Sequence, residues 1–230
     1  VPTEPLVLAY MSEPGEYTQR LANQLTQAGI NYKFAYDDRF SWRRMVAWQG
    51  LQGDLHPNDL LIFVGGWDTL LMGTKKEIMD LRWTNMITFA GDKFCWPDDR
   101  ITDYVSYGWP YMGEGKIGPW RYINTGPMMG PGWLIKEAVD WGEREFPLTV
   151  DDSGINDCES GTDMRFWTSV HLDSPFGTQI DYQCRLGQTT LNEEDGEFEL
   201  HNGRVKNLVH GTYPIFLHLN GNGIAPSGLR

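Results

Sequence analysis

The chain has 230 residues, 40% of them hydrophobic, and a formal net charge of −12. That length suits one large domain or two small ones, with enough apolar content for a core that needs no disulfide framework. The acidic balance disfavours nucleic acid as a partner, because binding a phosphate backbone runs on cationic contacts, and no run approaches the roughly 18 consecutive apolar residues of a membrane span. The three cysteines, Cys95, Cys158 and Cys184, form no Cys-x-x-Cys pair, which argues against structural zinc. Val1-Pro2-Thr3 carries no charged-then-apolar leader pattern.

Pro5–Tyr10 (PLVLAY) predicts a buried strand. The next stretch, EYTQRLANQLTQAG, puts Tyr17, Leu21, Leu25 and Ala28 on one helical face, with Gly29 as its stop. Ile30–Tyr36 alternates as a second strand, and a helix carrying Met45, Val46 and Trp48 follows. Asp59–Val64 is a third strand, TKKEIMDLRW a helix, and Met86–Gly91 a further short strand. Strand alternating with helix predicts an α/β fold with a mainly parallel sheet. Residues 96–131, rich in Gly, Pro, Trp and Tyr, read as a long loop, functional by its length and ordered by its aromatics. GWLIKEAVDWGERE and TDMRFWTSVHL predict helices, separated by the acidic, turn-rich DDSGINDCESG. Glu197–Asn207 predicts a hairpin, since Asn202-Gly203 supplies the positive φ values of a tight turn, and Pro214–Gly221 is the last strand. No repeat or linker interrupts the pattern, so residues 1–230 read as one domain.

Ligands of such sheets sit beyond the C-terminal strand ends, where Gly65–Asp68 and Gly91-Asp92 fall. Three polar residues occupy positions whose surroundings predict burial or a strand edge: Asp68, Asp163 and His218. Each also has a structural reading. Asp68 can cap a helix over TLLMGTKK, Asp163 can cap MRFWTSV, and His218 can be a hydrogen-bonded core residue.

Several blocks occur in a telling order: NDLLIFVGGWDTLL, FAGDKFCWPDD, RYINTGPMMG, TDMRFWTSVHLD, IDYQCRLGQTTLN and PIFLHLNGNG. Together with LVLAYMSEPGEY they resemble the glycosyltransferase domain of the procollagen lysyl hydroxylases. The resemblance covers most of the chain, and Phe94–Pro97 (FCWP) and Pro214–Gly221 are its most specific parts. It implies a single Rossmann-like, GT-A-type domain that transfers a hexose from a UDP-sugar, UDP-glucose or UDP-galactose first. The implied acceptor is a hydroxyl, on hydroxylysine or its galactosylated form. It also implies Mn²⁺, or Mg²⁺, as the Lewis acid on the departing diphosphate.

In this family a strand-end Asp-x-x-Asp and a C-terminal histidine hold the metal. The second aspartate matches Asp68, the histidine matches His218, and the first aspartate falls on Gly65; Asp92 is a neighbouring acid able to reach in. Asp163 matches the last carboxylate of an acidic run, with a catalytic or orienting role, while Asp151, Asp152, Asp157 and Glu159 lie displaced upstream. Trp96 matches the aromatic expected at the sugar and acceptor. Asn124, Thr125 and Gly126 match a loop approaching donor hydroxyls, with Pro127 departing from a family glycine. Tyr10, Met11 and Ser12 end the first strand, where base and ribose are expected, and Trp48 matches a helical aromatic. Trp67, Asp92, Asn220 and Gly221 complete the implied substrate-binding set.

Three other readings compete. His171-Leu172-Asp173, with His210 or His218, spells the ligand set of an iron and 2-oxoglutarate oxygenase, but His171 ends a helical pattern and the chain offers too few strands for that fold. A degenerate transferase would hold a nucleotide sugar without turnover, as Gly65 suggests. A transferase acting on hydroxymethylated DNA bases would keep the scaffold and change the acceptor.

Overall fold

The structure is a computed structural model and describes residues 4–81, 85–94, 119–146, 162–191 and 196–222. The first half follows the periodicity of the sequence. Strand β1 (Pro5–Met11) leads to helix α1 (Thr18–Gln27), strand β2 (Asn31–Tyr36), helix α2 (Trp42–Leu55) and strand β3 (Leu60–Phe63). β1 lies between β2 and β3 and pairs with both in parallel. α1 buries Leu21, Ala22 and Leu25 at helical spacing. It stops at Gly29, whose φ of +64° lets the Ile30 N–H turn back to the Leu25 carbonyl at 3.0 Å. α2 begins at Ser41, whose hydroxyl accepts the Arg44 N–H.

The chain continues through β4 (Thr69–Leu71), α3 (Lys75–Leu81), β5 (Ile87–Asp92), β6 (Tyr122–Pro131), α4 (Gly132–Glu145) and α5 (Asp163–Asp173). It closes with β7 (Thr178–Asp181), β8 (Gly187–Thr189), the hairpin β9 (Phe198–His201) and β10 (Arg204–Asn207), β11 (Phe216–His218) and a 3₁₀ turn at Asn220–Asn222. Asn202 and Gly203 carry the positive φ values expected of the hairpin turn. Among the described residues, nine strands form one sheet in the order β2-β1-β3-β6-β5-β8-β11-β4, with β7 beside β5. β6 runs antiparallel to β3 and β5, and β4 antiparallel to β11; the other pairs in this sheet are parallel. The α/β class and the mixed, mainly parallel sheet are as expected. No described helix is long and apolar enough to cross a membrane.

Two local expectations are corrected. Tyr122–Pro131 is not the end of a loop but a ten-residue strand, buried throughout. Its glycines and prolines hid it, because both are depleted in strands. Here Pro127 sits in a bulge and Pro131 at the strand end, the places where a sheet tolerates proline. Likewise Thr69–Leu71 is a strand paired with β11, so Asp68 caps no helix.

Alternation along the strands divides the core into two layers. Val7, Ala9, Leu60 and Ile62 face α1 and α3, while Leu8, Leu61 and Phe63 face α2, α4 and α5. In the second layer α2 and α4 approach closely at Gly53. A Cβ there would lie 2.6 Å from the Gly132 carbonyl oxygen and 2.8 Å from the Lys136 backbone nitrogen. Backbone cannot step aside cheaply, so Gly53→Ala is expected to lose about 1–3 kcal/mol to overpacking. The helix-propensity gain of about 1 kcal/mol offsets only part of that loss, leaving a net cost of up to about 2 kcal/mol. A thermal melt checks this, with a fall in Tm of about 2–4 °C per kcal/mol lost.

Candidate active site

The carboxyl ends of β1, β3, β5 and β11 open on one cavity of about 710 Å³. This is where the strand polarity places a ligand. Its wall includes Tyr10 from β1, Gly65, Trp67 and Asp68 after β3, Asp92 ending β5, and His218, Asn220 and Gly221 at and beyond β11. Asn124, Thr125 and Gly126 enter from β6. One step on β5, Phe89 to Ala90, is matched on β6 by Met128 to Asn124, so Thr125, Gly126 and Pro127 bulge from the ladder. Asp163, the first residue of α5, completes the wall.

The glycine pair after β3 serves two needs. A Cβ on Gly66 would collide with the Met11 side chain, which lies fully buried in the core. A Cβ on Gly65 would press on Asp68 Oδ1 and stand 3.1 Å from His218 Nε2. Position 65 therefore faces the same point as Asp68 and His218. Those two side chains, 150 positions apart in sequence, converge to 3.3 Å between Oδ1 and Nε2. The contact lacks hydrogen-bond alignment, and Asp68 Oδ1 is buried without a hydrogen-bond partner. An orphaned buried carboxylate oxygen facing an imidazole nitrogen is a place for a cation. The spacing also suits neighbouring vertices around an ion with bonds of about 2.1 Å. Oxygen with imidazole fits Mn²⁺, or Mg²⁺ with less nitrogen preference.

A third side-chain donor is not found: among the described residues no group of three His, Cys, Asp or Glu is placed to hold a metal. Asp92 is engaged elsewhere. Its Oδ2 accepts the Asn124 amide at 2.9 Å and the Asn220 amide at 3.2 Å, and its Oδ1 accepts the Phe94 N–H at 3.3 Å.

Electrostatics separate the acids. Burial, the largest influence, pushes the Asp68 carboxyl up, but the charge and close approach of His218, together with the backbone of Asp68 itself, outweigh it and the net shift is down. Burial pulls the His218 imidazole down, and the charges of Asp68, Asp92 and Asp163 more than reverse that. Asp92 is raised by burial despite its hydrogen bonds. Asp163 is raised furthest of these acids, to about 6, by burial that the Thr125 hydroxyl only partly opposes. Its cap role belongs instead to Thr162, whose hydroxyl accepts the Arg165 N–H.

Two other expected residues lie away from the cavity wall. Met11 packs in the core and Ser12 does not line the wall. Trp96 and the acidic run at 151–159 lie outside the described residues. His171 lies within α5, bonded to Thr178, and burial lowers it to about 4. Neither it nor Asp173 meets His218 at the cavity.

The sequence reading missed part of the apolar wall. Trp42, Met45 and Gln49 stand beside Trp48 on the cavity face of α2, and Met164 and Leu191 lie across from them. The spacing 42, 45, 49 is a helical stripe that periodicity alone could have found. Tyr10 stacks against Phe40 and Trp48 with ring centroids 5.6 and 5.4 Å away, and its hydroxyl donates to Asp37. That bond fixes the tyrosine ring in the wall, with Asp37 also paired to Arg44 at 2.7 Å.

Known proteins match this chain as follows. The family model described as the PLOD GT domain matches residues 50–226, more than half of the chain. The multifunctional procollagen lysine hydroxylase and glycosyltransferase LH3 of Homo sapiens is 25% identical over 171 residues, covering 70% of this chain and 20% of that protein. Procollagen-lysine,2-oxoglutarate 5-dioxygenase 2 of Mus musculus is 27% identical over 173 residues, covering 71% and 20%. The chain thus spans about a fifth of the length of these relatives. A solved glycosyltransferase involved in glycosylation of the major capsid of PBCV-1 aligns over 95% of this chain and 96% of its own, at 11% identity and TM-score 0.49.

Proposed function

From the premise that this chain belongs to the PLOD GT domain family and is a glycosyltransferase domain, we propose that it transfers a hexose from a UDP-sugar to an acceptor hydroxyl with the help of one divalent cation. The observation that carries the reading is the convergence of Asp68 and His218 around an orphaned carboxylate oxygen. Asp68 and His218 would hold Mn²⁺ or Mg²⁺, which supplies Lewis-acid stabilisation to the diphosphate leaving group. An ion held by two side chains keeps its other positions for water and phosphate oxygens.

The chain's own groups divide the remaining work. The aromatic wall of Tyr10, Trp48 and Trp67 offers flat apolar faces to a base and excludes water. Asp163, buried beside Thr125, accepts a hydrogen bond or a proton from the attacking hydroxyl; an acid raised to about 6 is ionised at neutral pH yet more basic than an exposed aspartate. Thr125 orients that carboxylate through its hydroxyl. Donor preference lies between UDP-glucose and UDP-galactose. The acceptor is hydroxylysine, in line with relatives named for procollagen lysine hydroxylation and glycosyl transfer, or its galactosylated form, as the sequence resemblance implies. Glycine at 65 favours a second reading, a nucleotide-sugar binder without turnover.

UDP release separates the two, once a thermal shift has set both apart from an oxygenase. UDP with Mn²⁺ should raise Tm, whereas 2-oxoglutarate with Fe²⁺ should not. UDP release from UDP-glucose or UDP-galactose should then rise when a hydroxylysine peptide is added. Binding without release establishes the binder. Release stimulated by hydroxymethylated DNA rather than by peptide moves the acceptor to nucleic acid.

A further inference from the structure

Asn124 was expected to meet donor hydroxyls, yet its side chain is spoken for inside the protein. The Gly126 N–H donates to Asn124 Oδ1 at 3.0 Å. A backbone N–H can only donate, so that atom is the carbonyl oxygen and the amide cannot be reversed. Correspondingly, Nδ2 donates to Asp92 Oδ2 at 2.9 Å. His218 Nδ1 lies 3.0 Å from the same Asn124 Oδ1. An oxygen acceptor there requires a proton on Nδ1. The neutral ring therefore carries its lone pair on Nε2, the atom 3.3 Å from Asp68 Oδ1.

We propose that Asn124 is a positioning residue that holds the His218 ring in the Nδ1–H form and thereby presents the Nε2 lone pair to the cation site. The inference rests on the metal-assisted reading above and names the group that makes His218 a ligand. Left to itself, the ring would place its proton on Nε2 and donate to Asp68 Oδ1, closing the site. Asn124 prevents this because its oxygen, fixed in place by the Gly126 N–H, can only accept, and a bare Nδ1 at 3.0 Å would face it lone pair to lone pair.

The rest of the local network fixes Asn124 in turn. Asp92 anchors its amide nitrogen, and Asp92 is gripped from the other side by Asn220 Nδ2 at 3.2 Å. Asn220 cannot reverse either, since its Oδ1 accepts the Thr190 and Leu191 N–H groups at 3.0 and 3.1 Å. Gly126 lies against the ring as well: a Cβ there would stand 3.2 Å from His218 Cε1. Strands β5 and β6, the segment just after β8 and the turn after β11 are thus tied together, and their common product is the aim of one imidazole. Outer partners that fix a ligating histidine in this way set metal affinity by about 10–100-fold.

The test is ¹⁵N NMR of histidine-labelled protein at alkaline pH, where the imidazoles are neutral, with the His218 signals identified by their loss in His218→Gln. The wild type should show a protonated Nδ1 and a bare Nε2. Asn124→Ala should move the proton to Nε2 and weaken Mn²⁺ binding in the presence of UDP by about 10–100-fold, read by electron paramagnetic resonance. Asn124→Asp keeps an acceptor oxygen and should restore the Nδ1–H form. A wild-type ring protonated on Nε2 overturns the proposal without any variant. So does Asn124→Ala with unchanged tautomer and Mn²⁺ affinity but a raised KM for the UDP-sugar, which makes Asn124 a donor contact. If the wild type binds no Mn²⁺ with UDP, the metal-assisted reading falls, and the wild-type tautomer still decides the role of Asn124.

Discussion

Replacing Asp68 with alanine is expected to lower kcat/KM for sugar transfer by about 10²–10³, the usual cost of removing one preorganised charge-stabilising group. The residual activity should no longer respond to Mn²⁺. The fold should survive, because the tie from residue 68 to the last strand runs through backbone: the Leu219 N–H donates to the Asp68 carbonyl at 2.8 Å. A second readout follows from the charge balance at His218. Burial pulls that imidazole down and Asp68 is the first of the charges lifting it. Removing the carboxylate should therefore lower the His218 pKa, visible in an NMR titration. Asp68→Asn keeps the shape and removes the charge, so it should reproduce both effects. Turnover that stays equally dependent on Mn²⁺ in these variants removes Asp68 from the cation site.

Asp163→Asn should separate chemistry from binding. Transfer is expected to slow by about 10²–10⁴, the range of general-base contributions, while UDP affinity changes little. In the wild type kcat should rise with pH through an apparent pKa near 6, because the carboxylate works only when ionised. The asparagine variant should lack that rise. Stability should move in the opposite direction. The folded pKa of Asp163 lies above its unfolded value of 3.8, so the native state binds this proton more tightly. Its favourable contribution is complete below about pH 4 and is lost as pH rises through about 6. At pH 8 the wild type carries a buried charge costing about 3 kcal/mol, and the neutral amide relieves much of it. Asp163→Asn should thus melt higher than wild type at pH 8 and show little advantage at pH 4. Loss of UDP binding in step with turnover, or a lower Tm at pH 8, makes Asp163 a structural residue.

Much of the architecture is written in local periodicity. Apolar runs and alternating or helical patterns suffice for β1, α1, β2, α2, β3 and α4, because each is legible within its own few residues. The family blocks added the identities of Asp68, Asp92, Asp163 and His218 and the expectation that they meet. Local pattern failed at Tyr122–Pro131, where glycine and proline belong to a strand that only its two neighbours make regular. It failed also at Thr69–Leu71, since a three-residue strand has no period of its own and exists through β11.

Residue order alone was enough for the α/β class, the strand ends that carry the acids and the family to which the chain belongs. Which atoms face each other emerges only in the assembled fold: Asp68 Oδ1 is left without a donor, Asp92 is held by two amides and Asn124 turns inward to His218. The physical reason is range. A side-chain period is set within a few residues, whereas a hydrogen-bond direction in the site depends on β5, β6, β8 and β11 arriving together, and no local stretch encodes that meeting.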